Sequence, residues 1–147
     1  MNQDLIKVIY LMLDDADRQF FRQSDLSIVQ YYSLYWLKDG RQISLGQLSE
    51  KLLCDPGHVT RTVDALERRG LVLRERAGWD KRITQVSITQ KGRDLYRVVS
   101  NKYAKVSQER MSVLSDAEQA ALKELLAKLG DGLKQTPKRH INKRSVS

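Results

Sequence analysis

The chain has 147 residues, enough for one domain of ordinary size. It is 41% hydrophobic and 30% charged, which is too apolar for a disordered chain and too charged for a membrane protein. No stretch has the pattern of a signal peptide or the roughly 18 to 20 apolar residues of a membrane helix, so we expect a cytoplasmic protein without a membrane partner. One cysteine and two histidines exclude an internal disulfide and a structural zinc site, and we expect no metal and no cofactor.

The charge of the chain is strongly basic. There are 26 lysines and arginines against 18 acidic residues, which gives a net charge of +8 and a pI of about 9.7. The excess lies in the centre and the C-terminal part, because residues 1–37 carry more acidic than basic groups. Long-range attraction and counterion release both reward a polyanionic partner, so this pattern favours binding to nucleic acid.

The N-terminal part of the chain predicts two helices. Apolar residues between Leu5 and Phe20 recur at spacings of three and four, which places them on one side of an amphipathic helix. Ser27 followed by Gln30 has the form of a capping box, and residues 28–37 are apolar almost all round. We therefore expect the second helix to be buried.

The centre of the chain predicts two further short helices. A capping box headed by Ser44 precedes a third helix over residues 45–53. Asp55 is suited to the N-cap of a fourth helix over residues 56–69, and Gly70 is suited to end it. Two short helices with well-marked starts therefore follow each other closely.

Two segments of alternating apolar and polar residues come next, 71–75 and 83–88, and predict a two-stranded ribbon. The connecting sequence RAGWDKR gives this ribbon a basic tip. Thr89 is suited to cap a long fifth helix, and Ser115 a sixth helix that carries a row of leucines. The basic tail, residues 136–147, has no apolar period, and we expect it to be disordered.

Two short capped helices followed by a hairpin with a basic tip are typical of a winged helix-turn-helix. In that arrangement the second helix fits the major groove of DNA, where its N-terminal turns expose side chains to base edges. The hairpin can reach phosphates or the neighbouring minor groove. We therefore expect a mostly α-helical protein with a small β-hairpin.

The sequence resembles the MarR family (multiple antibiotic resistance regulators) of transcription factors. The resemblance is carried by ISLGQL at residues 43–48, VTRTVDALERRGLV at 59–72, DKR at 80–82 and VSITQKG at 86–92. The most specific element is the Asp-x-Arg of the wing, which stands at a fixed distance after the recognition helix.

This resemblance implies a homodimer in which a winged helix-turn-helix lobe is flanked by dimerisation helices. Residues 26–89 are expected to form the DNA-binding lobe, and residues 1–25 and 90–135 the dimerisation helices. We expect a sequence-specific repressor that binds a pseudo-palindrome in double-stranded DNA. The resemblance further implies a small aromatic or anionic effector between the two parts, which releases DNA by changing the spacing of the recognition helices.

The predicted DNA contacts lie on the third and fourth helices and on the wing. Arg61 stands opposite Val59 and Val63, whose spacing marks the buried face of the fourth helix. Asp80 is expected to orient Arg82, because a carboxylate can hold a guanidinium through two hydrogen bonds. The predicted DNA-binding residues are Ser44, Gly57, His58, Thr60, Arg61, Arg76, Lys81 and Arg82.

The sequence allows alternatives for the effector pocket, for Cys54 and for the function. Phe20, Tyr31, Tyr35 and Tyr103 could line an effector pocket, although an aromatic cluster is more often hydrophobic core. Cys54 could be a redox switch or buried filler, and no enzyme is expected because no oxyanion-hole motif accompanies it. The alternative functions are a non-specific architectural nucleic-acid binder and a winged-helix module that binds proteins.

Overall fold

A computed structural model describes residues 3–135, so the basic tail predicted to be disordered, residues 136–147, lies outside the described residues. The described part is mostly α-helical with a small sheet, as predicted. Within it, no helix combines the length and the apolar character needed to cross a membrane. The elements are α1 (Gln3–Arg22), α2 (Ile28–Leu37), β1 (Ile43–Ser44), α3 (Leu45–Leu52), α4 (Pro56–Arg68), β2 (Val72–Arg76), β3 (Thr84–Ile88), α5 (Gln90–Met111) and α6 (Asp116–Gln135).

Helices α2 and α3 begin at the predicted capping boxes. The Gln30 backbone N–H donates to Ser27 Oγ at 3.0 Å, and the Ser27 N–H donates to Gln30 Oε1 at 2.9 Å. Ser44 and Gln47 exchange the same two hydrogen bonds, each 3.1 Å long. Because such a box satisfies two N–H groups that have no partner within the helix, it fixes the residue at which each helix begins.

The sheet has three antiparallel strands in the order β1-β3-β2, one strand more than predicted. Strand β1 contains only Ile43 and Ser44, which pair with Val86 and Gln85 of β3. A strand of two residues carries no alternating pattern, so it could not be recognised in the sequence. Its pairing ties the start of α3 to the base of the hairpin.

Close packing at Gly92 fixes α5 against the segment that follows α4. A Cβ atom on Gly92 would overlap the Leu71 carbonyl oxygen, so only glycine fits there. Thr89 caps α5, as predicted: its Oγ1 accepts the Gly92 N–H at 3.0 Å and donates to the Gly70 carbonyl at 2.7 Å. The start of α5 is therefore determined by both packing and capping.

The chain forms two compact units that divide between Ala104 and Lys105, within α5. The core of the first unit gathers apolar side chains from α1 to α5 around the sheet. Its fully buried members include Phe21, Leu34, Leu48, Val63, Leu66 and Val86.

The second unit contains the end of α5 and the helix α6. The predicted capping box is present, since the Glu118 N–H donates to Ser115 Oγ at 3.3 Å and the Ser115 N–H donates to Glu118 Oε2 at 2.8 Å. The leucines of α6 are mostly exposed to solvent in the single chain. Those exposed by 45% or more are Leu125, Leu126, Leu129 and Leu133.

Candidate nucleic-acid interface

Helix α4 buries one face and exposes the other. Val59 and Val63 are fully buried, whereas Arg61 is exposed. Thr60 is half-buried, and its hydroxyl donates to the Pro56 carbonyl oxygen at 2.9 Å. The geometry therefore gives α4 an outward face on which Arg61 is available to a ligand.

Asp55, Gly57 and Arg61 lie together at the N-terminus of α4. Asp55 Oδ1 accepts the His58 backbone N–H at 3.0 Å, and this hydrogen bond lowers the pKa of the Asp55 carboxyl group. A Cβ atom on Gly57 would lie 3.2 Å from Asp55 Oδ1 and 3.5 Å from Arg61 Nη1. A side chain at residue 57 would therefore crowd the Asp55 carboxylate and meet Arg61 at an ordinary contact distance. The three residues lie on the first turns, the part of a recognition helix that meets base edges.

The wing, defined as residues 72–88, presents Arg82 at its tip. Arg82 Nε lies 3.1 Å from Asp80 Oδ1, and Arg82 Nη2 lies 3.0 Å from Asp80 Oδ2. The side-chain hydrogen bonds from Arg82, together with one from its backbone N–H, lower the pKa of the Asp80 carboxyl group. Asp80 therefore holds Arg82 in one orientation, and the outer side of the guanidinium stays open to a ligand.

Ser44, Arg76 and Lys81 differ in the protein partners they already have. Ser44 Oγ accepts an N–H in the α3 capping box, which leaves its hydroxyl proton to donate elsewhere. Arg76 Nη1 donates to the Lys81 carbonyl at 3.2 Å and to Thr84 Oγ1 at 3.3 Å, so it braces the two strands of the wing. Lys81 is exposed. The role of each of these residues in DNA binding stays a prediction.

The wing also carries an exposed aromatic residue that is not among the predicted DNA contacts. Trp79 is 73% exposed and precedes Asp80. With Arg82 and Ser44 it lines a hollow of about 620 Å³ between the wing and α3. A single tryptophan in a loop has no periodic pattern, so nothing in the sequence distinguished it from an ordinary surface residue.

A second concave surface, which we call the basic groove after Arg18 and Arg22 in its wall, lies beside the turn between α3 and α4. Its volume is about 830 Å³. His58 is part of its wall, so the structure associates this predicted DNA contact with the groove as well. The lining residues come from α1, from the loop and first residues of α2 that follow it, and from the α3–α4 turn with the start of α4. They include Asp14, Arg18, Arg22, Asp25, Leu26, Leu53, Cys54 and His58.

Two residues of the basic groove have a strained backbone. Asp25 and Leu53 each have φ of 53°, and among residues 3–135 they are the only non-glycine residues with positive φ. Leu53 is also 89% exposed, which is unusual for a leucine. Strained residues cluster at functional sites, so the α3–α4 turn that contains Leu53 is a candidate ligand contact. The groove draws on three separate elements, and hence no local motif revealed it.

The aromatic residues considered for an effector pocket mostly form core. The Tyr31 ring stacks on Phe21 with 4.2 Å between centroids, and Tyr31 is only 4% exposed. The ring centroids of Phe20 and Tyr103 lie 5.4 Å apart, and the Tyr103 hydroxyl donates to Asp17 Oδ2 at 3.0 Å. The packing of these rings against one another favours the core alternative for them.

Tyr35 is the member of that set that lies beside open space. It lines a hollow of about 370 Å³ with Tyr32 and Trp36. An effector role for Phe20, Tyr31, Tyr35 and Tyr103 stays a prediction.

Cys54 is half-buried, and its Sγ lies 3.4 Å from the Leu52 carbonyl oxygen. Within residues 3–135 no group of three or more histidine, cysteine, aspartate or glutamate side chains could hold a metal ion.

Comparison with known proteins relates the chain to one group of regulators. The model of the MarR family matches residues 26–84. The HTH-type transcriptional regulator MhqR of Bacillus subtilis strain 168 is 29% identical over 126 residues, which are 86% of this chain and 87% of MhqR.

Two solved structures share the fold. Apo MarR of E. coli superimposes with a TM-score of 0.77 at 25% identity, covering 88% of this chain and 97% of that chain. MepR of S. aureus, solved as a complex with DNA, has a TM-score of 0.78 at 22% identity and covers 90% and 98% of the two chains.

The capped helix pair, the wing and the outward face of α4 define a winged helix-turn-helix regulator of transcription that binds DNA. Within this class the chain is similar to the MarR family, whose model matches residues 26–84, and to MhqR and E. coli MarR over most of its length.

Proposed function

We propose that this chain acts as a homodimeric, sequence-specific repressor whose DNA binding is controlled by a small aromatic or anionic effector. The observation that carries the proposal is the two-sided character of α4. Val59 and Val63 anchor it in the core, and Arg61 projects from its first turns. A helix held in this way can enter the major groove while the wing, with Arg82 held by Asp80, reaches the adjacent backbone or minor groove.

Exposed apolar faces support the dimer. In α1, eight large apolar side chains between Leu5 and Leu13 are each at least 40% exposed. The four exposed leucines of α6 add a second apolar face. Soluble monomers rarely expose contiguous patches of this extent, and a second copy of the chain would cover them. Two copies related by a two-fold axis would also present two α4 helices to a palindromic site.

The basic groove supports control by an effector. It combines apolar walls with two arginines and two carboxylates. Arg18 Nε already lies 3.2 Å from Asp14 Oδ2, so Arg22 is the cation that we expect to meet a small organic anion. Leu53 in the wall of the groove lies two residues before Asp55, the N-cap of α4. A ligand that binds more tightly to one placement of this turn would shift the equilibrium between DNA-competent and incompetent dimers.

The test of sequence-specific binding is selection from a random pool of double-stranded DNA at about 0.15 M salt. We expect enrichment of one two-fold symmetric site. Salt-sensitive binding without enrichment would instead support the architectural alternative, and the absence of DNA binding would support a protein-interaction module.

The test of the effector role is release of the selected DNA by benzoate and hydroxybenzoates. We expect release of DNA from the parent protein and weaker release from Arg22→Gln, whose groove has lost one cation. Arg97→Gln, an equal charge change on the exposed side of α5, should respond like the parent. Equal responses of the two variants would contradict a role of the basic groove.

A further inference from the structure

Arg74 of β2 binds two carboxylates that project from α4. Its Nη1 lies 2.5 Å from Asp64 Oδ1, and its Nη2 lies 2.7 Å from Glu67 Oε2. Its Nε donates to the same Glu67 oxygen, also at 2.7 Å. All three nitrogens of the guanidinium are therefore occupied by α4, and the three side chains are between 30% and 40% exposed.

The two carboxylates lie between the arginines proposed to face DNA. Asp64 follows Arg61 by about one helical turn. Arg61, Asp64, Glu67, Arg68 and Arg74 line one hollow of about 390 Å³. Glu67 and Arg74 also line the adjoining hollow, to which Arg76 and Glu75 of the wing add one charge of each sign. A phosphate backbone that approached α4 and the wing together would pass close to both carboxylates.

Carboxylates in this position oppose DNA binding unless their charge is compensated. Like charges at short range repel, and the phosphate backbone concentrates negative charge along the site. In the first hollow, three arginines against two carboxylates leave one net positive charge. Without Arg74 the same hollow would have no net charge, and Asp64 and Glu67 would lose the hydrogen bonds that engage their oxygens.

We infer that Arg74 is a positioning residue that masks Asp64 and Glu67, so that α4 and the wing present a positive surface to the phosphate backbone. Arg74 does this without contacting DNA, because its donors are turned to α4. The inference rests on the proposed function, in which the outward face of α4 meets DNA. Two other roles for Arg74 lead to different outcomes: direct binding of a phosphate, and a mechanical link that orients the wing.

A four-protein cycle separates these roles by measuring affinity for the selected DNA at about 0.15 M salt. The proteins are the parent, Arg74→Met, Asp64→Asn/Glu67→Gln, and the combination of all three changes. Masking predicts that Arg74→Met weakens binding about tenfold, since it uncovers two negative charges. It predicts that Asp64→Asn/Glu67→Gln binds at least as tightly as the parent, and that adding Arg74→Met to this pair has no further effect.

A matched control accounts for net charge. Asp39→Asn/Glu124→Gln neutralises one aspartate and one glutamate, both exposed and outside this cluster. In the Arg74→Met background this pair should recover much less of the affinity than Asp64→Asn/Glu67→Gln does. Equal recovery by both pairs would show that only bulk charge matters and would overturn the inference.

The remaining outcomes are equally decisive. Weak binding by Asp64→Asn/Glu67→Gln would show that the ion pairs orient the wing. If Arg74→Met weakens binding in the neutralised background too, Arg74 contacts DNA directly, and masking is wrong. Should Arg74→Met alone fail to fold by circular dichroism, the two proteins with neutral partners still decide between these roles. If the parent protein binds no DNA, the proposed function fails rather than the assignment of Arg74.

Discussion

Arg82 holds both carboxylate oxygens of Asp80 through two nearly equal hydrogen bonds, yet its side chain is 91% exposed. An exposed ion pair of this kind contributes little to folding stability. It does restrict the directions in which the guanidinium can point, because an arginine bound through two nitrogens has a fixed plane. The pair is therefore better explained by orientation than by stability.

Asp80→Ala should weaken DNA binding although it removes a negative charge. Arg82→Ala should weaken binding as well and lower the salt dependence by about one unit for each phosphate that a subunit no longer neutralises. Fluorescence anisotropy with the selected DNA over a salt series measures both effects. Asp39→Ala, which removes an exposed acidic group outside the wing, serves as the control. Tighter binding by Asp80→Ala would show that net charge, not orientation, governs the wing.

Arg61→Ala should reduce the free energy of specific binding by about 1 to 3 kcal/mol and leave the fold intact, because Arg61 is exposed on the outward face of α4. Binding to the selected site and to random DNA gives the two affinities to compare. Arg97→Ala on α5 removes the same charge and should change neither affinity appreciably. An Arg61→Ala protein that binds its site like the parent would remove Arg61 from the interface.

Much of the fold could be predicted from the sequence because its signals are local. Ser27, Ser44 and Asp55 start their helices through hydrogen bonds to residues three positions away, so spacing alone reveals them. The pairing of Ile43 with Val86 joins residues far apart in the chain, and no local pattern announces it.

The same distinction applies to the candidate site. Arg61 and the Asp80–Arg82 pair follow from helical periodicity and short spacing. The basic groove and the contacts of Arg74 with α4 depend on side chains brought together by tertiary packing. Tertiary packing also decides the surroundings of the aromatic residues. The Tyr31 ring stacks on Phe21 in the core, and the sequence does not distinguish a packed ring from one that lines a cavity.

Introducing charge into the exposed apolar face of α1 should dissociate the proposed dimer. Ile9→Asp and Leu13→Asp each place a carboxylate on that face, where burial against a second copy would be costly. Light scattering should show a shift to monomer or loss of soluble protein, together with loss of DNA binding. Lys7→Ala changes the net charge by the same amount on the same helix and should leave the oligomeric state unchanged. A parent protein that is monomeric throughout would contradict the proposed dimer.

Alanine at two glycines should change stability in opposite directions. Gly92→Ala forces a methyl group onto the Leu71 carbonyl oxygen and should destabilise the protein by about 3 kcal/mol or more. Gly46→Ala in α3 meets only Ser44 Oγ at 3.9 Å, so it should stabilise by about 0.5 to 1 kcal/mol through reduced backbone freedom in the unfolded chain. Denaturant unfolding measures both changes. Equal effects at the two positions would contradict the packing described for Gly92.

Stability should decline in alkaline solution because of the buried tyrosines. Burial, reinforced by neighbouring rings, raises the pKa of Tyr31 and Tyr103 above the ordinary value of 10.0. The folded state therefore keeps their protons when the unfolded state has lost them, and the free energy of unfolding falls as the pH rises above about 10. Tyr31→Phe should make this decline less steep. Absorbance titration of the folded and the denatured protein checks the shift, and identical curves would contradict it.

Changing the spacing between the two half-sites of the selected DNA shows whether two paired recognition helices bind it. Two α4 helices in one dimer should read half-sites about 10 base pairs apart, on one face of the duplex. Inserting about 5 base pairs, half a turn, moves one half-site to the opposite face, and we expect the affinity to fall to that of a single half-site. Equal affinity for the original and the extended site would contradict a dimer that reads DNA through paired recognition helices.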